Sequence, residues 1–172
     1  GGEVARFDLA ASYHQVEDAG QAELMLETAK WFATPLIMVY QDRTPGLLPS
    51  DSERLGKITI GTELGWGAAV NPTGVRFGRQ GVLAAAINHG QLEGSIKPIA
   101  HHASGEQKVI EMIDRECFSP APWPGIYEPV LECGQVVEKG EVVGLLHDFH
   151  RLDEAPHPVR AGLDGVVVAQ AW

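Results

Sequence analysis

The stretch Lys57-Ile-Thr-Ile-Gly-Thr-Glu-Leu-Gly-Trp-Gly67 joins a strand signal to a glycine-rich turn. The β-branched residues at 58–60 favour an extended strand over residues 57–62, and glycines let the backbone turn after it. Asn71 then predicts a helix N-cap, with Pro72 at the first helical position. One carboxylate, Glu63, therefore lies where a predicted strand ends. In open α/β sheets, that edge is where ligands bind.

Upstream of this stretch, the sequence predicts a helix and a strand. Residues 22–32 repeat apolar side chains at helical spacing behind Asp18, which predicts a capped amphipathic helix. The unbroken apolar run at residues 36–40 predicts a strand buried on both faces, as parallel sheets require. Ser50 or Asp51 is expected to cap a short helical turn that follows.

Downstream, residues 72–88 predict a second helix that Gly90 ends. The side chains expected to face inward are those of Val75, Val82 and Ala86, with Ile87 as a further candidate. Glycines inside this helix weaken it, and they indicate either close packing or a later start: Gly74, Gly78 and Gly81.

The first hundred residues thus alternate strand and helix, as an α/β layer does. Two predicted strands are too few for a parallel sheet, which usually has about four to six. The remaining strands belong either to another chain or to a larger domain, and we favour the larger domain. We assign residues 1–100 to an α/β domain and residues 101–172 to a β domain.

The β domain is predicted from short apolar runs separated by turns. Residues 134–144 resemble the hairpin of the lipoyl/biotinyl-type barrel-sandwich fold, and residues 161–166 resemble its return turn. A carrier domain of that fold needs a lysine between these segments, but residues 148–153 contain none. The sequence therefore predicts the barrel-sandwich fold without the carrier function.

The amino-acid composition limits the classes of molecule that the protein is expected to bind. The 172 residues carry a net charge of −10, which argues against a nucleic-acid or anionic-membrane surface. No apolar run approaches the ~20 residues of a membrane span. Cys117 and Cys133 are the only cysteines, which favours reduced, buried thiols over a disulfide. We expect a cytoplasmic protein without nucleic-acid or membrane partners, and a homo-oligomer is left open.

The histidines offer an alternative site. His147, His150 and His157 share a polar loop with several carboxylates, a set of residue types that suits a metal ion. Such loops are more often solvated surface, so metal binding there stays an alternative. The sequence has no nucleophile-elbow, serine-triad or phosphate-loop motif.

Three segments carry a family resemblance: Ile58-Thr-Ile-Gly-Thr-Glu-Leu-Gly65, Arg79-Gln-Gly-Val-Leu83 and Gly125-Ile-Tyr-Glu-Pro129. In this order they resemble the succinylglutamate desuccinylase/aspartoacylase family, with most similarity to its N-acetyl-diaminobutyrate deacetylase-like branch. The resemblance implies a zinc-dependent hydrolase with a carboxypeptidase-like mixed α/β sheet and a C-terminal β domain. It spans residues 1–168 and implies that the chain is the C-terminal portion of such an enzyme.

The resemblance assigns roles to two residues. The family's catalytic glutamate corresponds to Glu63, which would take a proton from zinc-bound water and later protonate the leaving amine. The family's substrate-positioning tyrosine corresponds to Tyr127, which would hydrogen-bond a substrate carboxylate or the oxyanion. A packed aromatic at the edge of the barrel is the alternative role for Tyr127.

We assign none of the family's zinc ligands to this chain. Gly1 and Gly2 resemble the end of the motif that carries the last ligand, so the ligands are expected upstream and the chain alone is expected to be inactive. The predicted function is a zinc-dependent deacylase acting on a small-molecule N-acyl amino acid or diamino acid. The alternatives are a non-catalytic interaction fragment and a metal-binding protein that uses residues 147–157.

Overall fold

The computed structural model describes residues 5–7, 9–41, 45–66, 70–96, 107–112 and 115–171. In chain order its elements are β1 (Ala5–Phe7), β2 (Ala10–His14), α1 (Ala19–Trp31), β3 (Leu36–Tyr40), α2 (Leu48–Arg54), β4 (Gly61–Glu63), α3 (Pro72–Asn88), β5 (Lys108–Met112), a 3-10 turn (Arg115–Cys117), β6 (Ile126–Pro129), β7 (Val136–Val137), β8 (Val142–His147), β9 (His157–Arg160), β10 (Gly165–Val166) and β11 (Ala169–Ala171).

The chain divides into two compact units. The α/β unit comprises Leu9–Gly65 and Ala69–Ile113, and the β unit comprises Gly1–Asp8, Trp66–Ala68 and Asp114–Trp172. None of the helices in the described part of the chain is both long and apolar enough to cross a membrane.

The α/β unit contains a four-stranded mixed sheet in the order β4-β2-β3-β5. Strands β2, β3 and β5 are parallel, and β4 runs antiparallel to β2 at the edge. The predicted mixed α/β class is therefore confirmed. The sequence pattern left the start of the chain as irregular or extended, and β2 is the extended segment there. Strand β5, whose residues we assigned to the second domain, pairs with β3 in this sheet.

The strand predicted over residues 57–62 is shorter in the structure. Only Gly61–Glu63 is paired, and Glu63 lies opposite Ala10, the first residue of β2. Because β4 is antiparallel, its carboxyl end lies at the amino edge of β2 and β3. Glu63 is the last residue of β4, so the expectation that it lies where a strand ends is confirmed. The carboxyl ends of the parallel strands, however, lie at the opposite end of the sheet.

Helix α1 forms the main core of the α/β unit with one face of the sheet. The carboxylate of Asp18 accepts a hydrogen bond from the backbone N–H of Gln21, 2.7 Å away, as the predicted cap requires. Met25 and Ala29 are fully buried and cluster with Ala11 and Ile37. Burying such side chains is the main favourable contribution to folding.

Helix α3 has the predicted bounds, but a different face is buried. Val75 and Val82 are exposed, whereas Phe77 and Ala84 are buried. A Cβ atom added at Gly81 would collide with the ring of Phe32. Gly81 therefore marks close packing between helices. The face of α3 that contains Gly81 lies against α1, instead of the face predicted from the sequence.

Helix α2 begins differently from the prediction. Ser50 and Asp51 lie inside the helix, and Leu47 occupies the N-cap position without a side-chain hydrogen bond. Pro49 lies in the first turn, where its missing N–H breaks no helical hydrogen bond. The expectation that Ser50 or Asp51 is the cap is wrong.

The strands of the β unit are short in the part of it that the structure describes. Strands β6, β8 and β9 form an antiparallel sheet, while β7 pairs with β10 and β1 with β11. A turn at Glu138-Lys139-Gly140, inside the segment that resembles a hairpin, joins β7 to β8, with Gly140 at a φ of +86°. The strands among the residues described here do not close into a barrel, so the barrel-sandwich prediction is not confirmed.

Candidate active site on the mixed sheet

Glu63 occupies the carboxyl end of the edge strand β4. Its side chain is half-buried, and this burial raises the pKa of the carboxyl above the ordinary value for glutamate. A carboxyl group whose pKa moves toward neutrality is better suited to accept and return protons at physiological pH.

Register defines which side chains share a face with Glu63. Directly opposed residues in a sheet point to the same side, and successive residues alternate. Ala10 and Leu36 are aligned with Glu63, so the alternating members of β2 and β3 lie on its side. We call the polar side chains of this set the site face: Ser12, His14, Tyr40 and Glu63.

Tyr40 is electrostatically coupled to Glu63. Burial raises the pKa of the Tyr40 hydroxyl, and the negative charge of Glu63 raises it further. The hydroxyl donates a hydrogen bond to the sulfur of Met38 at 3.7 Å. Sequence reasoning did not single out Tyr40 as a site residue.

His14 pairs with a buried carboxylate at the other end of the site face. Its Nδ1 lies 3.0 Å from Oε2 of Glu53, whose side chain is 1% exposed. The rings of His14 and Tyr40 have centroids 6.0 Å apart. Ser50, on the same helix as Glu53, has a buried hydroxyl for which the described residues provide no hydrogen-bond partner. The alternation of Ser12 and His14 along β2 is the sequence signal that could have revealed this face.

His14 also belongs to a sequence motif that has the spacing of two of the family's zinc ligands. His14 and Glu17 have the His-x-x-Glu spacing of the family's ligand pair, which our assignment of no ligands did not consider. Glu17 is exposed, while the imidazole contacts Glu53 instead. Among the described residues, no group of three or more His, Cys, Asp or Glu side chains is arranged to hold a metal. The match at Gly1 and Gly2 lies outside these residues.

The histidine loop of the β unit is engaged in other contacts. Nε2 of His147 lies 2.6 Å from Oε2 of Glu128, and the ring of His157 lies 4.9 Å from that of Trp123. The metal cluster offered as an alternative at residues 147–157 is therefore not formed.

Tyr127 lies on β6 in the β unit. Its hydroxyl donates a hydrogen bond to the carbonyl of Val143 at 3.0 Å, and a Cβ at Gly144 would collide with its ring. Burial raises the pKa of the Tyr127 hydroxyl. These contacts fit the packed-aromatic alternative, and the substrate role stays a prediction. Glu63 and Tyr127 belong to different units.

Comparison with known proteins identifies relatives of the whole chain. No protein-family model matches the sequence. The chain is 30% identical over 163 residues to N-alpha-acetyl-L-2,4-diaminobutyric acid deacetylase of Halomonas elongata, an alignment that covers 94% of this chain and 46% of that protein. The structure of a succinylglutamate desuccinylase/aspartoacylase from Rhodobacter sphaeroides matches with a TM-score of 0.84 and 28% identity, covering 98% of this chain and 50% of that one. This chain is similar in sequence and fold to proteins of the succinylglutamate desuccinylase/aspartoacylase family.

A third comparison agrees with the family fold. The product-bound ectoine utilization protein EutE (DoeB) from Ruegeria pomeroyi has a TM-score of 0.86 at 22% identity, over 99% of this chain and 51% of that one. The chain spans about half the length of the curated relative it matches. The predicted family resemblance is thus confirmed for the part of the family fold that these 172 residues cover.

Proposed function

We propose that the protein to which this chain belongs is a zinc-dependent hydrolase that removes an acyl group from the amide nitrogen of an N-acyl amino acid or diamino acid. The observation that carries the proposal is the position of Glu63. It is a half-buried carboxyl with a raised pKa, at the residue that the family resemblance assigns to the catalytic base. The name of the Halomonas elongata relative supports deacetylation of a diamino acid as the reaction class.

In this proposal, Glu63 transfers protons. The carboxylate accepts a proton from the water that attacks the amide carbonyl, and the resulting acid returns it to the nitrogen as the carbon–nitrogen bond breaks. Burial supports both steps, because it raises the pKa of the Glu63 carboxyl toward neutrality. Tyr127 would have to redirect its hydroxyl from Val143 to reach a substrate oxygen.

Zinc dependence is a proposal that rests on the family resemblance. From the resemblance alone, we propose that the ligands come from a segment outside these 172 residues. The residues that the structure describes contain no group of three or more His, Cys, Asp or Glu side chains arranged to hold a metal. We also propose a barrel-sandwich fold for the β unit and a cytoplasmic location. Cys117 and Cys133, which are half-buried and not joined by a disulfide, support the cytoplasmic location.

The test is the Glu63→Gln substitution in the full-length protein, with N-acetyl-diaminobutyrate as the first substrate. Turnover should fall by about 10²- to 10⁴-fold, the usual contribution of a positioned proton-transfer group, while the zinc content stays unchanged. Glu111→Gln is a matched control, because residue 111 alternates to the opposite face of the sheet. Full activity of the Glu63 variant would refute the assignment, and stoichiometric zinc in the 172-residue chain alone would contradict the location of the ligands.

A further inference from the structure

The peptide that follows Glu63 is held by a side chain from the next helix. The carbonyl oxygen of Leu64 accepts a hydrogen bond from Nδ2 of Asn71 at 2.7 Å. The other end of the same side chain, Oδ1 of Asn71, accepts a hydrogen bond from the backbone N–H of Gly74 at 2.6 Å. One amide therefore ties the turn after Glu63 to the first turn of α3.

Close packing reinforces this link. A Cβ atom at Gly74 would collide with the carbonyl oxygen of Leu64, so the glycine leaves the space that this carbonyl occupies. The side chain of Leu64 packs against the buried side chains of Leu9 and Phe77. The residue after Glu63 is thus anchored through both its carbonyl and its side chain.

The residues on the other side of Glu63 are fixed by the sheet. Thr62 is paired with Ala11 and Gly61 with Ser12. A Cβ at Gly61 would lie 2.7 Å from the hydroxyl oxygen of Ser12, so the two strands approach closely there. The backbone at Glu63 is therefore restrained from both directions, by β2 before it and by Asn71 after it.

Capping alone does not account for asparagine at this position. Serine and aspartate cap a helix as well as asparagine does, because the cap needs only an acceptor oxygen. The amide of Asn71 adds a donor at the distance that reaches the Leu64 carbonyl. That donor serves the turn after Glu63 rather than the helix.

We propose that Asn71 is a positioning residue for Glu63, which sets the direction of the carboxylate by fixing the peptide that follows it. The inference rests on the proposed function, in which Glu63 transfers protons. A misplacement of about 1 Å at a reacting group lowers rates about 100-fold. Loss of the Asn71 donor is therefore expected to affect turnover much more than substrate binding.

Two variants of the full-length enzyme separate positioning from capping. Asn71→Ser and Asn71→Asp both retain an acceptor for the Gly74 N–H, and both lose the donor to Leu64. Asn88→Ser is the matched control, because Nδ2 of Asn88 also donates to a backbone carbonyl of α3, that of Ala84, at 2.9 Å. The control removes the same kind of contact at the far end of the same helix.

We expect kcat to fall about 10- to 100-fold in both Asn71 variants, with KM changed less than about threefold. Asn88→Ser should keep the parent kcat. If both Asn71 variants retain the parent kcat while Glu63→Gln is inactive, the positioning role is overturned and the proposed function stands. If Glu63→Gln is active, the proposed function fails.

A second measurement tests Asn71 without reference to activity. The carboxyl carbon of Glu63, assigned by comparison with Glu63→Gln, is titrated by NMR in the parent and in the variants. We expect the titration midpoint of Glu63 to change in Asn71→Ser, which introduces no charge, and to stay at the parent value in Asn88→Ser. If Asn71→Ser changes neither the titration midpoint nor the chemical shift of the Glu63 carboxyl, the positioning role is overturned. This result does not depend on knowing the substrate.

Discussion

His14 and Glu53 are 39 residues apart in the sequence, yet Nδ1 of the imidazole lies 3.0 Å from the carboxylate. The carboxylate side chain is 1% exposed and that of the histidine 18%. A second histidine–glutamate pair, His147 with Glu128, has a shorter separation of 2.6 Å but lies at the surface. Because the shorter contact belongs to the exposed pair, comparing the two pairs separates the effect of burial from that of distance. Burial is expected to make the loss of a partner more costly.

The first prediction compares these pairs. His14→Ala in the full-length protein should lower the free energy of unfolding by about 3 kcal/mol, since it leaves a buried carboxylate without its imidazole partner. His147→Ala should cost less than about 1 kcal/mol. Denaturant unfolding measures both values. Equal costs for the two variants would show that the buried pair contributes no more than the exposed one.

The second prediction concerns the coupling of Tyr40 to Glu63. Because the charge of Glu63 raises the pKa of Tyr40, Glu63→Gln should lower the pKa of that hydroxyl. Burial, followed by the charge of Glu111, likewise raises the pKa of Tyr13. Glu111→Gln should therefore lower the pKa of Tyr13 and leave Tyr40 unchanged, the reverse of the first variant. NMR titration of the tyrosine ring carbons resolves the two; a shift in the wrong tyrosine would contradict the assignment of faces.

The third prediction follows from the raised pKa of Glu63. The folded state binds this proton more tightly than the unfolded state, so stability falls as the pH rises from the ordinary value, about 4.3, through the folded-state pKa. Glu63→Gln cannot ionise and escapes that loss. Its Tm should exceed the parent Tm above this window and equal it below about pH 4. A difference in Tm that is constant across the pH range would point to packing rather than ionisation.

The sequence predicted those elements whose signals are local. The bounds of α3 and β3 follow from a proline-flanked cap and from a dense apolar run, and both are observed. The sequence left irregular and extended structure both open for Ala10-Ala11-Ser12-Tyr13-His14, because this segment lacks the β-branched residues that favour strands. It is extended because strands pair with it on both sides. Tertiary pairing overrides weak local preference there.

In the candidate site, too, a residue with a recognisable local motif was found, and a residue without one was not. Glu63 was found because its neighbours resemble a family motif. Glu53 was not found, because nothing in Ser50-Asp-Ser-Glu-Arg54 distinguishes a buried carboxylate from an exposed one. Its burial depends on contacts with residues from β2 and α1: Gln21 donates to its backbone carbonyl at 2.9 Å, and His14 contacts its side chain.

The fourth prediction tests the packing of α3 on α1. Gly81→Ala would place a methyl group in the ring of Phe32, and overpacking of this kind costs about 1–3 kcal/mol. Gly20→Ala is the matched control within α1, where the new Cβ would meet only Asp18 Oδ1 at 3.4 Å. That variant should be neutral or gain up to about 1 kcal/mol, since alanine favours helix over glycine. Equal effects of the two variants would contradict the close approach of these helices.

The fifth prediction decides between the two roles of Tyr127. Tyr127→Phe removes the donor to the Val143 carbonyl and should lower the free energy of unfolding by about 1 kcal/mol, whichever role is correct. If the hydroxyl also binds a substrate oxygen in the full-length enzyme, KM should rise about tenfold, the equivalent of one hydrogen bond to a charged group. We expect this rise, because the resemblance assigns a substrate-positioning tyrosine to residue 127.

Tyr13→Phe, which alters a tyrosine on the face of the sheet opposite Glu63, should leave KM unchanged. A loss of stability in Tyr127→Phe with the parent KM and kcat would leave the packed aromatic as the remaining role, since stability reports the contact with Val143 and KM reports the contact with substrate.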